Sequence, residues 1–179
     1  MKNINKENTA LLLIDIQEDF LEEIEDKKKR DYFVNNITDL LNTIQIQFYS
    51  KEIPIFNILY KNHKQNPTKI KYSFDTYPNK HTIIKTNDNA FQNRNLDKIL
   101  KSNKIENIIL TGLNSEHCIN DTYNSAIKKG YNIIICQETI ISNDLINHRE
   151  ICENKYKKNP YYSETLNELK SFLKQINQN

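Results

Sequence analysis

Short apolar runs alternate with segments whose apolar residues recur every three or four positions. Ala10 to Asp15 is continuous, short and ends in a charge, which predicts a strand buried on both faces. Asp31 to Tyr49 follows with Phe33, Val34, Ile37, Leu40, Leu41, Ile44 and Phe48 on one face, the spacing of an amphipathic helix. Pro54 to Tyr60 is a second strand, entered through a proline, which can occupy a strand's first position. Lys61 to Lys80 is polar, carries Pro67 and Pro78, and reads as an irregular functional loop. His81 to Lys85 is a short third strand, and Asn93 to Lys101 a short helix with Leu96, Ile99 and Leu100 inward. Asn107 to Gly112 is a fourth strand. Glu116 to Lys129 is a helix closed by Gly130, where a left-handed cap is wanted. Tyr131 to Cys136 is a fifth strand, Asp144 to about Tyr156 is helical, Asn159 to Tyr162 is a degenerate sixth strand, and Glu164 to Gln175 is a last amphipathic helix.

Strands alternating with helices imply a three-layer α/β/α arrangement around a mainly parallel sheet of five or six strands. The 179 residues suit a single domain spanning 1–179. In such sheets the site lies beyond the carboxyl ends of the strands, near the point where strand order reverses. That rule selects Asp15, Lys85, Gly112 and Cys118.

Composition removes several classes of function. Twenty-five basic and 23 acidic residues leave a formal net charge of +2, which gives no footprint for nucleic acid or an anionic membrane. The charge run Glu22 to Asp31 mixes both signs and reads as solvated surface. The first apolar run is too short for a secretory or spanning segment. Cys118, Cys136 and Cys152 are odd in number and lack CxxC spacing, which fits a reducing cytoplasm without disulfides or a zinc site.

The stretch TGLNSEHCIN, Thr111 to Asn120, spends one of only two glycines six residues before a cysteine. Gly112 permits a turn from sheet into helix that a side chain would forbid. A cysteine in the helix's first turn meets free N–H groups and the positive end of the dipole. Lowering a thiol pKa by two units takes about 2.7 kcal/mol. The dipole supplies ~0.3–1 kcal/mol at exposed sites and up to ~2 in good geometry, so a cation such as Lys85 is needed as well. Asp15 is available as general base.

Three segments resemble the isochorismatase-like cysteine hydrolases. LLLIDIQEDF (Leu11 to Phe20) is similar to that family's strand followed by Asp-x-Gln-x-x-Phe. KTNDNAF (Lys85 to Phe91) is similar to its Lys-x-x-x-Ser-Ala-Phe, with Asn89 in the serine place. Thr111 to Ser142 is similar to its Gly-x5-Cys, helix, glycine and strand, and order and spacing agree from about Thr9 to Ser142. The resemblance implies a Rossmann-like fold, a catalytic triad of Asp15, Lys85 and Cys118, and a cis peptide at Leu113–Asn114. It implies an oxyanion hole from the Asn114 and Cys118 amides, and pocket positions at Gln17, Phe20, Phe91 and Leu113. It also implies a small-molecule substrate and a homo-oligomer, a dimer or larger.

A thiol at position 118 favours carbon–nitrogen cleavage, because members that hydrolyse isochorismate generally have glycine there. The nicotinamidase subgroup carries an Asp-x-His metal motif after its second strand. This chain has Lys61, Asn62 and His63 there, so neither a metal nor another cofactor is expected. Two other readings stay open: an idle or redox-responsive member acting through a reactive cysteine or a binding pocket, and a structural oligomer subunit. His117 reads as lining or structural, and His148, in the Ser142 to His148 stretch, as structural.

Overall fold

The computed structural model describes residues 4–47, 53–61 and 77–178. Among these, six strands form one sheet in the order β3-β2-β1-β4-β5-β6, with every pairing parallel. They are β1 (Thr9–Ile14), β2 (Ile55–Tyr60), β3 (Lys80–Lys85), β4 (Asn107–Leu113), β5 (Asn132–Ile141) and β6 (Tyr162–Ser163). The helices are α1 (Glu18–Glu22), α2 (Lys27–Gln47), α3 (Arg94–Ser102), α4 (Cys118–Lys128), α5 (Leu145–Asn154) and α6 (Leu166–Gln178).

The central strands are apolar at successive positions because both faces are covered. Leu11, Leu13, Ile55, Ile109 and Ile134 join one core with Phe33, Ile37, Leu40 and Ile44 of α2 and Leu169 and Leu173 of α6. The alternate residues Leu12, Ile14, Phe56, Ile58, Leu110 and Ile135 join a second core with Leu96 and Leu100 of α3, Ile119 and Ala126 of α4 and Cys152 of α5. Period-two alternation along each strand feeds both cores at once.

Two spans differ from expectation for a visible reason. β5 runs on through Gln137, Glu138 and Thr139 to Ile141, where the polar triplet suggests an end at Cys136. Leu110 pairs with Ile135 but Gly112 with Ile140, so β5 bulges around that triplet. Its polar groups are satisfied: Thr139 Oγ1 donates to the Cys136 carbonyl, Asn36 Nδ2 donates to the Glu138 carbonyl, and Glu138 Oε2 accepts from Leu166 N at the start of α6. Helix α2 begins at Lys27 rather than Asp31, because Asp26 accepts from Lys29 N and Lys27 pairs with Asp31. The sixth strand is two residues, Tyr162–Ser163. Most of the Lys61 to Lys80 loop, His63 included, lies outside the described residues.

β1 continues to β2 on one side and its other neighbour is β4, so strand order reverses between β1 and β4. The carboxyl ends of β1, β4 and β3 all open on that rim.

Candidate active site

Gly112 sets the approach of β4 to β1. It pairs with Ile14, has φ +123°, and a Cβ built there would sit 2.0 Å from the Ile14 carbonyl oxygen. Only a residue without a side chain fits this position. Beyond it the Leu113–Asn114 peptide is cis, as the resemblance implies. Ser115 N donates to the Ile141 carbonyl, the Asn114 carbonyl accepts from His117 N and Ile119 N, and α4 opens at Cys118. Among the described residues, no main-chain carbonyl accepts from the Asn114 or Cys118 N–H.

Asp15 follows the last residue of β1 in a left-handed conformation, φ +53°, with its N–H donated to Ile58. Gln17 then ties β1 to β2: its Oε1 accepts from Tyr60 N at 2.7 Å, and its Nε2 donates to the Tyr60 carbonyl at 3.2 Å. Lys85 ends β3, with β2 between it and β1. Its stem crosses that gap beneath the Tyr60 ring, whose centroid is 4.8 Å from Nζ.

The three side chains converge. Lys85 Nζ lies 2.7 Å from Asp15 Oδ2, 3.2 Å from Cys118 Sγ and 3.1 Å from the Asn87 carbonyl. Asp15 and Lys85 are each 2% exposed, and Cys118 is half-buried. The Asp15–Lys85 approach is a buried ion pair, and beyond Lys85 and the Cys118 thiol no described residue donates to either Asp15 oxygen. A buried carboxylate in that state is a poor home for negative charge.

The electrostatics follow from burial. Loss of water pushes Asp15 up to about 6, against the pull of Lys85, and the charge of Asp88 adds to the rise. Burial alone would weaken the Lys85 ammonium, but the charges of Asp15 and Cys118 outweigh it and hold Lys85 above its ordinary value. Burial, and next the Asp15 carboxylate, push the Cys118 thiol well up, and the charge of Lys85, which pulls the other way, does not offset them. The expected acidic thiol is therefore not the resting state. Lys85 is already committed to Asp15, and the helix dipole is too small to replace it. The cluster holds a thiol, a carboxylate and an ammonium, with the sulfur's proton shared toward carboxylate oxygens.

The other expected site residues are placed differently. Leu113 is buried in the α2–α6 core. Phe20 is partly buried, edge-on to Tyr60 with centroids 5.9 Å apart. Phe91 is in the opposite core, stacked on Tyr131 at 5.6 Å. Asn89, in the serine place, caps the turn: Oδ1 accepts from Phe91 N and Nδ2 donates to Ser125 Oγ at 2.7 Å. His148 Nδ1 lies 3.0 Å from the buried Ser115 Oγ, and Glu116 ties Ser115 to Ser142. That network braces the chain ahead of Cys118, and burial holds His148 below its ordinary value.

One residue escaped the sequence reading. Cys118 Sγ also lies 3.6 Å from Asp88 Oδ1, a half-buried carboxylate three residues past Lys85. Its position on the rim loop after β3 was the available signal. A depression of about 800 Å³ contains none of Asp15, Lys85 and Cys118; it is lined by Glu116 and His117, which precede Cys118 in the chain, and by Glu23, Asp26 and Asp144. Among the described residues, no group of three or more His, Cys, Asp or Glu side chains is arranged to hold a metal ion.

The fold and the sequence both have relatives. A cysteine hydrolase from Pseudomonas syringae superposes with a TM-score of 0.78 at 14% identity, covering 98% of this chain and 97% of that one. An N-carbamoylsarcosine amidase from Thermoplasma acidophilum superposes with a TM-score of 0.68 at 17% identity, covering 87% of this chain and 94% of that one. In sequence, an N-carbamoylsarcosine amidase of an Arthrobacter species is 41% identical over 58 residues, which is 32% of this chain and only 22% of that relative's length. The isochorismatase domain model matches residues 9–159, and the chain belongs to the isochorismatase family of hydrolases.

Proposed function

We propose that the chain is a cysteine hydrolase that cleaves a carbon–nitrogen bond of a small amide or ureide through a thioester. What carries this reading is the single ammonium of Lys85, 2.7 Å from a buried carboxylate and 3.2 Å from a thiol. The similar amidases act on a carbamoyl compound by name, which is consistent with that bond class.

Asp15, raised to about 6, is a carboxylate at neutral pH and yet basic enough to take a proton. It accepts the Cys118 proton as sulfur attacks the carbonyl carbon. The tetrahedral oxyanion rests on the Asn114 and Cys118 N–H groups. The carbon–nitrogen bond breaks as protonated Asp15 returns its proton to the departing nitrogen, leaving an acyl thioester and free amine or ammonia. Water then loses a proton to Asp15 and attacks the thioester; the carboxylic product leaves, and the proton returns to sulfur. Lys85 stays charged throughout, orienting Asp15 and balancing charge that passes to sulfur. Gln17 fixes the β1–β2 rim, Phe20 packs edge-on to Tyr60 beside it, and Leu113 and Phe91 support the site from the two cores.

The experiment is a panel of small amides and ureides assayed for ammonia or amine release, with Cys118→Ala beside the parent. Loss of more than about a thousandfold in kcat with an unchanged fold is expected. Full activity in Cys118→Ala would sink the scheme. A redox-sensing role fits less well, since sensor thiols are acidic and this one is pushed up. Three free cysteines fit a cytoplasmic setting, and exposed Leu145 and Ile146 give a second copy an apolar face, which solution mass measures. No helix among the described residues is long and apolar enough to cross a membrane.

A further inference from the structure

We infer that Asp88 selects the substrate by charge: the site takes amides that present a cationic or N–H-rich group beside the scissile carbonyl, and rejects anionic ones. This rests on the hydrolase reading for its substrate class, but the charge selection itself does not require turnover.

Two carboxylates face the sulfur. Asp15 is engaged by Lys85, and Asp88 Oδ1 stands 3.6 Å from Sγ. Among the described residues no basic side chain pairs with Asp88. Lys85, 3.2 Å from the sulfur, already has Asp15, Cys118 and the Asn87 carbonyl as contacts. With a neutral thiol, the four groups carry one net negative charge, and Asp88 is its more exposed end. That charge is felt inside the cluster, where it adds to the rise of Asp15.

Asp88 is held in place by its neighbours. Asn87 Nδ2 donates to Gln92, and Asn89 bridges Phe91 N and Ser125 Oγ, so the turn has little freedom to carry Asp88 away. An acyl group bonded to Sγ must lie within a few ångströms of Asp88. A carboxylate on that acyl group meets repulsion, and an ammonium or guanidinium meets a partner. At an effective dielectric constant of about 20, Coulomb's law gives about three powers of ten between a charged and a neutral group at about 4 Å and about two at about 6 Å, and solvent screening of the partly exposed Asp88 brings that down to about tenfold. The depression lined by Glu116 and His117, just ahead of Cys118 in the chain, also has Glu23, Glu25, Asp26 and Asp144 in its walls and, among the described residues, no lysine or arginine.

The test uses alkylating probes of different charge on the intact chain, read at Cys118 by peptide mass mapping: iodoacetate, iodoacetamide and 2-bromoethylamine. In the parent, the iodoacetamide-to-iodoacetate rate ratio at Cys118 should exceed that of the unfolded chain about tenfold. Asp88→Asn should remove that excess and lower the relative rate of 2-bromoethylamine, and Asp88→Glu should restore both. In the hydrolysis assay, Asp88→Asn should raise the ratio of kcat/KM for an anionic amide over a neutral one of the same size by about tenfold. It should lower the cationic-to-neutral ratio by a similar factor. Ratios within twofold of the parent in Asp88→Asn overturn the inference and leave the hydrolase reading standing. Ratios that shift in alkylation while no amide is cleaved by any variant support charge selection and remove the hydrolase reading instead.

Discussion

Asp15 carries the most information of any single side chain. Its pKa is raised to about 6 in the fold against about 3.9 in an unfolded chain. The folded state therefore holds this proton over a window where the unfolded state has lost it. The group's favourable contribution is complete below the unfolded value and disappears as pH rises through about 6. Parent stability relative to Asp15→Asn should fall between about pH 4 and pH 6, by up to roughly 3 kcal/mol. Urea titrations of both proteins at several pH values measure it, and a difference independent of pH would show that Asp15 titrates normally. A rate that needs the carboxylate declines below the same pH. The sequence made Asp15, Lys85 and Cys118 legible because each ends or follows a strand at one rim. It concealed Asp88, since an aspartate in a polar loop resembles every other solvated aspartate until its distance to sulfur is known. It also suggested an acidic thiol, because a motif says which groups are neighbours and not how completely water has been excluded from them.

Among the elements, the β1–β4 pair bears the closest tolerance. Alanine at position 112 would place a methyl carbon 2.0 Å from the Ile14 carbonyl oxygen, in a backbone conformation that L-residues avoid. Gly130 also has positive φ, +89°, but nothing lies within 4 Å of where its Cβ would be. Gly130→Ala should cost about 1 kcal/mol, from backbone strain alone. Gly112→Ala should cost more than about 4 kcal/mol and give little soluble folded protein. Thermal melts and soluble yields of the two variants check the contrast, and equal losses would refute it. The strands that could be read were those flanked by polar residues and buried on both faces. The extension of β5 could not be, because Glu138 looks like a terminus. It serves as the acceptor for the N-terminus of α6 and, through its carbonyl, for Asn36 of α2. α1 was missed because five residues without a periodic apolar face give no signal.

The molecule as a whole separates its three thiols by environment. Cys136 and Cys152 lie in opposite cores, at 0% and 1% exposure, while Cys118 is half-buried on the rim. Iodoacetamide under native conditions should modify one cysteine per chain, at position 118 and slowly, since burial and Asp15 keep its proton on. Three should react after unfolding. Mass mapping decides it, and native labelling at Cys136 or Cys152 would contradict the core assignment. The architecture was legible as a whole because alternating strand and helix signals leave few arrangements besides a covered parallel sheet.

A sheet whose strands all run one way has two rims with unlike duties. One receives Asp15, Lys85 and Cys118. Among the described residues, the other takes returns from helix to strand, such as the Asn103–Lys104 turn before β4 and the Gly130 turn before β5. Fusion partners, reporter insertions and relocated chain ends belong on this second rim, where added length is taken up by solvent and the spacing of the reacting atoms is left alone.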